Sequence, residues 1–306
     1  MRHLESSGVK LALATAVISG FAVFVNKFGV TLWGNPFTYT AAKNIVAALA
    51  LGGLLLGARK LPELRRLTRR QWGQLTAIGL IGGSVPFLMF FKALSIMPAT
   101  EAAFIHKTLF LWVALLAVPL LKERVSRVQA LALAVLFGGV WLFGAPTAWS
   151  FSLGTALALG ATVLWAIESV IAKITLRTVA PSIVAWARMA IGSLFLLGFL
   201  AATGQLGGVI PTSASQLGWT LIVGLALFGY VATWYRALAT APATLVASVL
   251  VLAAPLTAIL NSLYFNHAFP GQVVVPIAMM AVGIAIFLKK YLHARRDEHP
   301  GTITVS

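Results

Sequence analysis

The sequence predicts an all-α polytopic membrane protein with ten transmembrane helices arranged as two inverted five-helix repeats. Three observations predict it. The chain is 59% hydrophobic and only 10% charged over 306 residues, whereas a soluble domain is about half apolar and about a quarter charged. Its apolar residues collect into ten runs of roughly 20 residues, the length an α-helix needs to cross a ~30 Å hydrocarbon core. A ten-residue segment of the first half also recurs without gaps 144 residues later. The composition argues strongly against a soluble globular enzyme.

The ten runs follow in order. The first, 9–32, has Arg2 and Lys10 ahead of its apolar core. It is too long for a signal-peptide core and closes at Asn26-Lys27 with no small-residue cleavage site, so it is expected to be retained. The second, 37–58, starts at the turn Gly34-Asn35-Pro36 and contains Gly53-xxx-Gly57. The third, 73–94, carries Gly79-xxx-Gly83 and Pro86. Paired small residues permit close helix approach, and an internal proline opens backbone bonding. The fourth, 99–121, holds Glu101, His106, Lys107 and Pro119, and the fifth, 128–145, ends at Gly144-Ala145-Pro146. The sixth, 152–174, holds Trp165, Glu168 and Lys173; the seventh, 181–202, holds Arg188. The eighth, 216–238, and ninth, 242–265, carry Arg236 and Pro255, and the tenth, 271–290, follows Phe269-Pro270-Gly271 and includes Pro276. Each run is about twice the length of a membrane strand and lacks its alternation, so these are helices.

The formal charge of +16, from 23 bases and 7 acids, has a topological origin. The even-numbered connections and the termini hold 16 of the 23 bases, and the odd-numbered connections hold none. By the positive-inside rule both termini are expected in the cytoplasm, with the chain in the inner (plasma) membrane and its basic loops meeting anionic lipid headgroups. No nucleic-acid partner is implied. With no cysteine in the chain, thiol chemistry and cysteine metal sites are excluded.

The repeat is the strongest organisational signal. Phe91-Lys-Ala-Leu-Ser-Ile-Met-Pro-Ala-Thr100 aligns on Tyr235-Arg-Ala-Leu-Ala-Thr-Ala-Pro-Ala-Thr244, and the same offset pairs Gly139 with Gly283 and Phe143 with Phe287. With small shifts Pro36 pairs with Pro181, Lys43 with Arg188 and Lys27 with Lys173. The expected units are a repeat over 1–146, a second over 147–290, and a basic, disordered cytoplasmic tail over 291–306. An odd number of spans per repeat forces the second to enter from the opposite side, the arrangement of many secondary transporters.

Ala93-Leu94…Pro98-Ala99 with its copy Ala237-Leu238…Pro242-Ala243, the Trp165…Lys173 pattern, Pro255-Leu256, and Glu123 after the fourth span together resemble the EamA-type transporters of the drug/metabolite transporter superfamily. The resemblance covers about 1–290. It implies two inverted five-helix halves around a central substrate cavity, no prosthetic group, and most often export of amino acids or related metabolites from a bacterial cytoplasm. Ser19-Gly20 stands where that family often has Trp-Gly, Lys43 where Arg is usual, and Leu111-Trp112 where Pro-Leu is usual. Phe104-Ile-His-Lys-Thr-Leu109 is also unusual for it. These departures bear on substrate more than on fold.

Seven bases lie at membrane depth: Lys27, Lys43, Lys92, Lys107, Lys173, Arg188 and Arg236. A charge at the bilayer centre costs at least about 2.5–3.5 kcal/mol, so each needs an account. His106 and Lys107 fall about 10–13 Å into the fourth span, near the midplane. Lys107 is the expected site for a substrate carboxylate, with His106 as a titratable neighbour; the structural alternative is a buried pair satisfied by carbonyls. Glu168, with Trp165 three residues earlier on the same face, and Glu101 are candidate substrate or proton-coupling groups, or else partners in ion pairs. Lys43 and Arg188, with Lys27 and Lys173, are assigned structural or ion-pair roles, and Lys92 and Arg236 reach to headgroups. The expected function is alternating-access export of a small, carboxylate-bearing metabolite such as an amino acid, with proton coupling open. The alternatives are a multidrug or nucleotide-sugar-like carrier and, outside transport, a membrane-embedded enzyme or lipid-handling protein. No HExxH, GxSxG, Walker or dinucleotide motif occurs, so neither hydrolysis nor ATP-driven transport is supported.

Overall fold

The computed structural model describes residues 2–145, 151–265, 267 and 271–298. Pro146, most of the Phe269-Pro270-Gly271 turn and 299–306 of the expected tail lie outside them. The described residues form helices with no strand. They are α1 (Arg2–Trp33), α2 (Pro36–Gly57), the short α3 (Leu61–Arg65), α4 (Arg69–Gly83), α5 (Val85–Leu94), α6 (Ala99–Lys107), α7 (Leu109–Leu121) and α8 (Arg127–Gly144). The second half contributes α9 (Leu153–Thr175), α10 (Pro181–Ala202), α11 (Ala214–Thr240), α12 (Ala243–Leu250), α13 (Ala253–Phe265) and α14 (Val274–Glu298). Ten helical stretches are long and apolar enough to cross a membrane, with α4–α5, α6–α7 and α12–α13 each making one. The last helix runs to Glu298, eight residues past its expected end at 290.

Helix starts are written locally. Pro36 opens α2 behind Asn35, whose side chain accepts the Phe37 N–H at 2.9 Å, satisfying a donor that the helix cannot. Thr68 with Gln71, Ser126 with Gln129, and Ser152 with Thr155 form reciprocal caps at α4, α8 and α9. Large apolar side chains such as Leu49, Leu115, Leu131 and Leu194 remain exposed on the flanks, as a lipid-facing surface requires.

The connections sort to two ends of the bundle. At one end Asn35 donates to Gln205 at 2.7 Å and Gln216 to the Leu32 carbonyl at 3.2 Å. At the other, Gln71 donates to Thr178 at 3.2 Å and the Ala243 N–H to Glu123 at 2.6 Å. Connections after the first and seventh spans meet at the first end, and those after the second and sixth and after the fourth and eighth at the second.

Packing repeats when the halves are exchanged. α1 packs on α11 and α13, as α9 packs on α4–α5 and α7; α2 packs on α11, as α10 packs on α4; and α8 crosses α14. At that last crossing a Cβ on Gly139 would sit 3.0 Å from the Pro276 carbonyl oxygen, and one on Gly283 2.8 Å from that of Ala132. These are the same contact in the two halves, since Gly139 pairs with Gly283 and Ala132 with Pro276 at the 144-residue offset. Gly79-xxx-Gly83 likewise sets α4 against α10, where a Cβ on Gly83 would meet the Arg188 carbonyl and Gly192. A Cβ on Gly53 or Gly57 would meet nothing within 4 Å among the described residues.

Three expected continuous spans are broken. The break between α4 and α5 at Ser84 precedes Pro86, and that between α12 and α13 precedes Pro255, where each proline removes a backbone donor. The break between α6 and α7 has no proline. There Thr108 folds its hydroxyl onto the Ile105 carbonyl at 2.6 Å and receives the Trp112 indole N–H at 3.2 Å. Side-chain bonding to the backbone competes with the helical ladder, and the fourth span thereby bends at the repeat equivalent of the ninth-span break. Pro119 sits inside α7 without interrupting it, and Pro276 lies in the first turn of α14.

Candidate substrate cavity

A cavity of about 640 Å³ lies between the halves, within the range of small-molecule sites. Its lining extends from Leu94, Phe143 and Asn261, towards the end that carries the 95–98 connection, to Glu168, Arg188, Trp234 and Ala247 deeper in the bundle. Both halves contribute. At the opposite end the halves are linked: Glu123, after α7, accepts from the Ala243 and Thr244 backbone N–H groups and from the Thr244 hydroxyl, capping α12. A carboxylate there satisfies free donors and meets the positive helix end.

The inner wall is built around a freed carbonyl. In an unbroken helix the Gly82 oxygen would accept from residue 86, but Pro86 has no N–H. The Trp165 indole N–H takes that oxygen at 3.2 Å and Arg188 Nη2 at 3.1 Å. Beside them the Tyr235 hydroxyl donates to Glu168 Oε1 at 2.5 Å, and the Arg188 side chain lies next to Glu168 across Gly82. The space exists because residue 82 is glycine; a Cβ there would lie 2.6 Å from Glu168 Cγ. Glu168, 2% exposed, and Arg188, 6% exposed, are thus buried side by side at Gly82, the first bonded to a hydroxyl and the second to a carbonyl, as buried polar groups require.

Two further cations line the cavity without such a carboxylate. Lys43 donates to Asn26 Oδ1 at 3.1 Å and lies 5.3 Å from the Tyr39 ring centre and 5.9 Å from that of Phe91. Its repeat partner Arg188 lies 6.0 Å from the ring of Tyr235, itself the partner of Phe91. Lys107 stands 4.3 Å over the Phe143 ring. Aromatic faces attract cations, so these ammonium groups are held in place by rings. His106 and Lys107 both line the cavity although they are adjacent on α6. His106 is an aromatic wall: its ring lies 4.7 Å from Trp165 and 5.4 Å from Phe90, and its Nδ1 has no partner among the described residues.

The other expected residues fall elsewhere. Glu101, in the first turn of α6, is not among the lining residues. Lys27 lies 4.0 Å over the Phe265 ring, and Lys173 donates to the Leu238 and Ala241 carbonyls at 2.5 and 2.7 Å, closing the C-terminal end of α11. Sequence reasoning missed Tyr235, Tyr230 and Trp234. Tyr235 stood only as the repeat mate of Phe91, and the hydroxyl that distinguishes them was the available signal, because a buried phenol needs a partner. No cluster of three or more His, Cys, Asp or Glu occurs among the described residues.

Known proteins resemble both halves of the chain. The profile of the EamA-like transporter family matches twice, over residues 6–145 and 152–289. An uncharacterized transporter of Haemophilus influenzae is 30% identical over 184 residues, covering 58% of this chain and 59% of its own. The uncharacterized inner membrane transporter YhbE of Escherichia coli K12 is 24% identical over 187 residues, 59% of this chain and 58% of its own. The matched region thus spans about three fifths of these relatives. A crystal structure superposes with a TM-score of 0.76 at 21% identity over 96% of this chain and 99% of that one, a likeness of fold.

Proposed function

The chain belongs to the EamA-like transporter family, and on that premise we propose that it is a secondary transporter of the cytoplasmic membrane whose cavity takes a small carboxylate-bearing metabolite. The carrying observation is the charge of the lining: Lys43, Lys107 and Arg188 against Glu168 alone, a formal excess of two positive charges (3 − 1 = 2). Arg188 is bonded to the Gly82 carbonyl and lies beside Glu168, which leaves the two lysines to receive an anion. A carrier of organic cations would need the opposite balance.

Alternating access is supported by the exchange-related packing of the halves and by five spans per repeat, which together favour an inverted relation. Placing the basic connections in the cytoplasm puts the Glu123 cap on that side and the Leu94, Phe143 and Asn261 end of the cavity, its mouth in this reading, outside. Rocking of the halves would release Glu123 from α12 while the other end closes. Outward transport follows the family resemblance, and the lysines address the carboxylate that the metabolites it implies carry.

Solute counterflow in proteoliposomes, with no ATP and no imposed ion gradient, tests the reading. Purified protein preloaded with a panel of unlabelled carboxylates should accumulate a labelled member of the panel. Lys107→Ala should weaken its apparent affinity about tenfold or more, the loss expected for one charged hydrogen bond. Exchange of no carboxylate, or a Lys107→Ala variant equal to wild type, contradicts it.

A further inference from the structure

Resting on the reading of this cavity as the substrate site, we infer that the preferred substrate is an organic anion with an aromatic body and no ammonium group. The inference comes from what the walls offer and what they have already committed. A zwitterionic amino acid needs a cationic partner for its carboxylate and an anionic group to offset the charge of its ammonium; ring faces and neutral carbonyls can touch an ammonium group but do not offset the charge of the two lysines. The lining supplies the first twice, through Lys43 and Lys107. The carboxylate that could supply the second is Glu168. It is 2% exposed, accepts the Tyr235 hydroxyl and lies beside Arg188. The freed Gly82 carbonyl, which could also receive an ammonium, is already taken by Trp165 and Arg188. Binding a second cation beside Arg188 would add like-charge repulsion where desolvation makes it strong.

The body of the substrate is indicated by the rings. Phe87, Phe90 and His106 all set their rings against Trp165, at centroid distances of 5.3, 5.8 and 4.7 Å. Deeper in the cavity Tyr230 and Trp234 stack at 6.1 Å and 16°. These walls offer both ring faces and ring edges to a bound aromatic group, which pairs favourably with either. Lys43 and Lys107 lie against rings as well, so the positive charge and the aromatic surface are contiguous. An amphipathic anion can satisfy both at once.

Four probes separate the parts of the inference. Indole-3-acetate, tryptophan and tryptamine share one ring and differ in carrying an anion, both charges or a cation; hexanoate carries the anion without the ring. In counterflow with purified protein, indole-3-acetate should have the lowest half-saturation concentration, about tenfold or more below tryptophan, and tryptamine should not exchange. Phe90→Leu should weaken indole-3-acetate several-fold more than hexanoate, a ratio that a merely poorly folded variant would not change. Exchange of tryptophan or tryptamine as good as that of indole-3-acetate overturns the missing-ammonium claim. Preference for hexanoate overturns the aromatic claim and leaves the carboxylate reading standing. Exchange of none of the four overturns both.

Discussion

Tyr235 shows how much can turn on one oxygen. Its repeat partner is Phe91, and the two rings flank Arg188 and Lys43 at similar distances, 6.0 and 5.9 Å. Only the Tyr235 side supplies a hydroxyl, and only that side has a carboxylate to receive it, since Ala22 occupies the place of Glu168 at the offset that pairs Lys27 with Lys173. Tyr235→Phe removes the donor and leaves a buried acceptor short of a partner, a loss of roughly 1–3 kcal/mol. Thermal unfolding in detergent should register it, and Glu168→Gln combined with Tyr235→Phe should recover part of it if the two residues act as a pair. Additive losses would show that they do not. The ionisable residues themselves were legible because a charge in an apolar run demands explanation. Their partners were not, because Gly82 and Tyr235 lie in other spans and nothing in local spacing brings them to Glu168.

Breaks in the helices convert span-level pattern into site geometry. The third span was readable as one apolar run with a proline, but the use made of Pro86, freeing the Gly82 oxygen for Trp165 and Arg188, depends on which helix packs there. Pro86→Ala restores an N–H four residues after Gly82. It should strengthen the α4–α5 junction, draw the carbonyl back into the helical ladder and lower the exchange rate, with stability equal to or above wild type. Unchanged exchange would remove the freed carbonyl from the account. The fourth-span break was illegible as a break because Thr108 makes it through side-chain bonding at a position where the ninth span relies on Pro255. Where the halves are linked, Glu123→Ala uncaps α12 and should cost about 0.5–2 kcal/mol in unfolding measurements, with Glu123→Gln retaining part of the cap. A Glu123→Ala variant as stable as wild type would remove the cap from the account, and a Glu123→Gln variant as stable as wild type would assign no role to the charge.

Across the whole molecule, the ten spans and the two-fold repetition were legible from run length and self-similarity. Hydrophobic thickness fixes the length of a span, and a duplicated unit keeps its packing residues, as Gly139 and Gly283 do at the α8–α14 crossing. The cavity was not legible, since it is the space left when the halves meet. Its identity as the transport path is the central claim, and the absence of cysteine from the chain allows a direct test. Ala103 lines the cavity, so Ala103→Cys places a single thiol in it. In proteoliposomes with the cavity mouth facing the bath, a membrane-impermeant thiol reagent should modify Cys at 103, abolish counterflow, and be slowed by the transported carboxylate. Full exchange activity after complete modification would contradict the account.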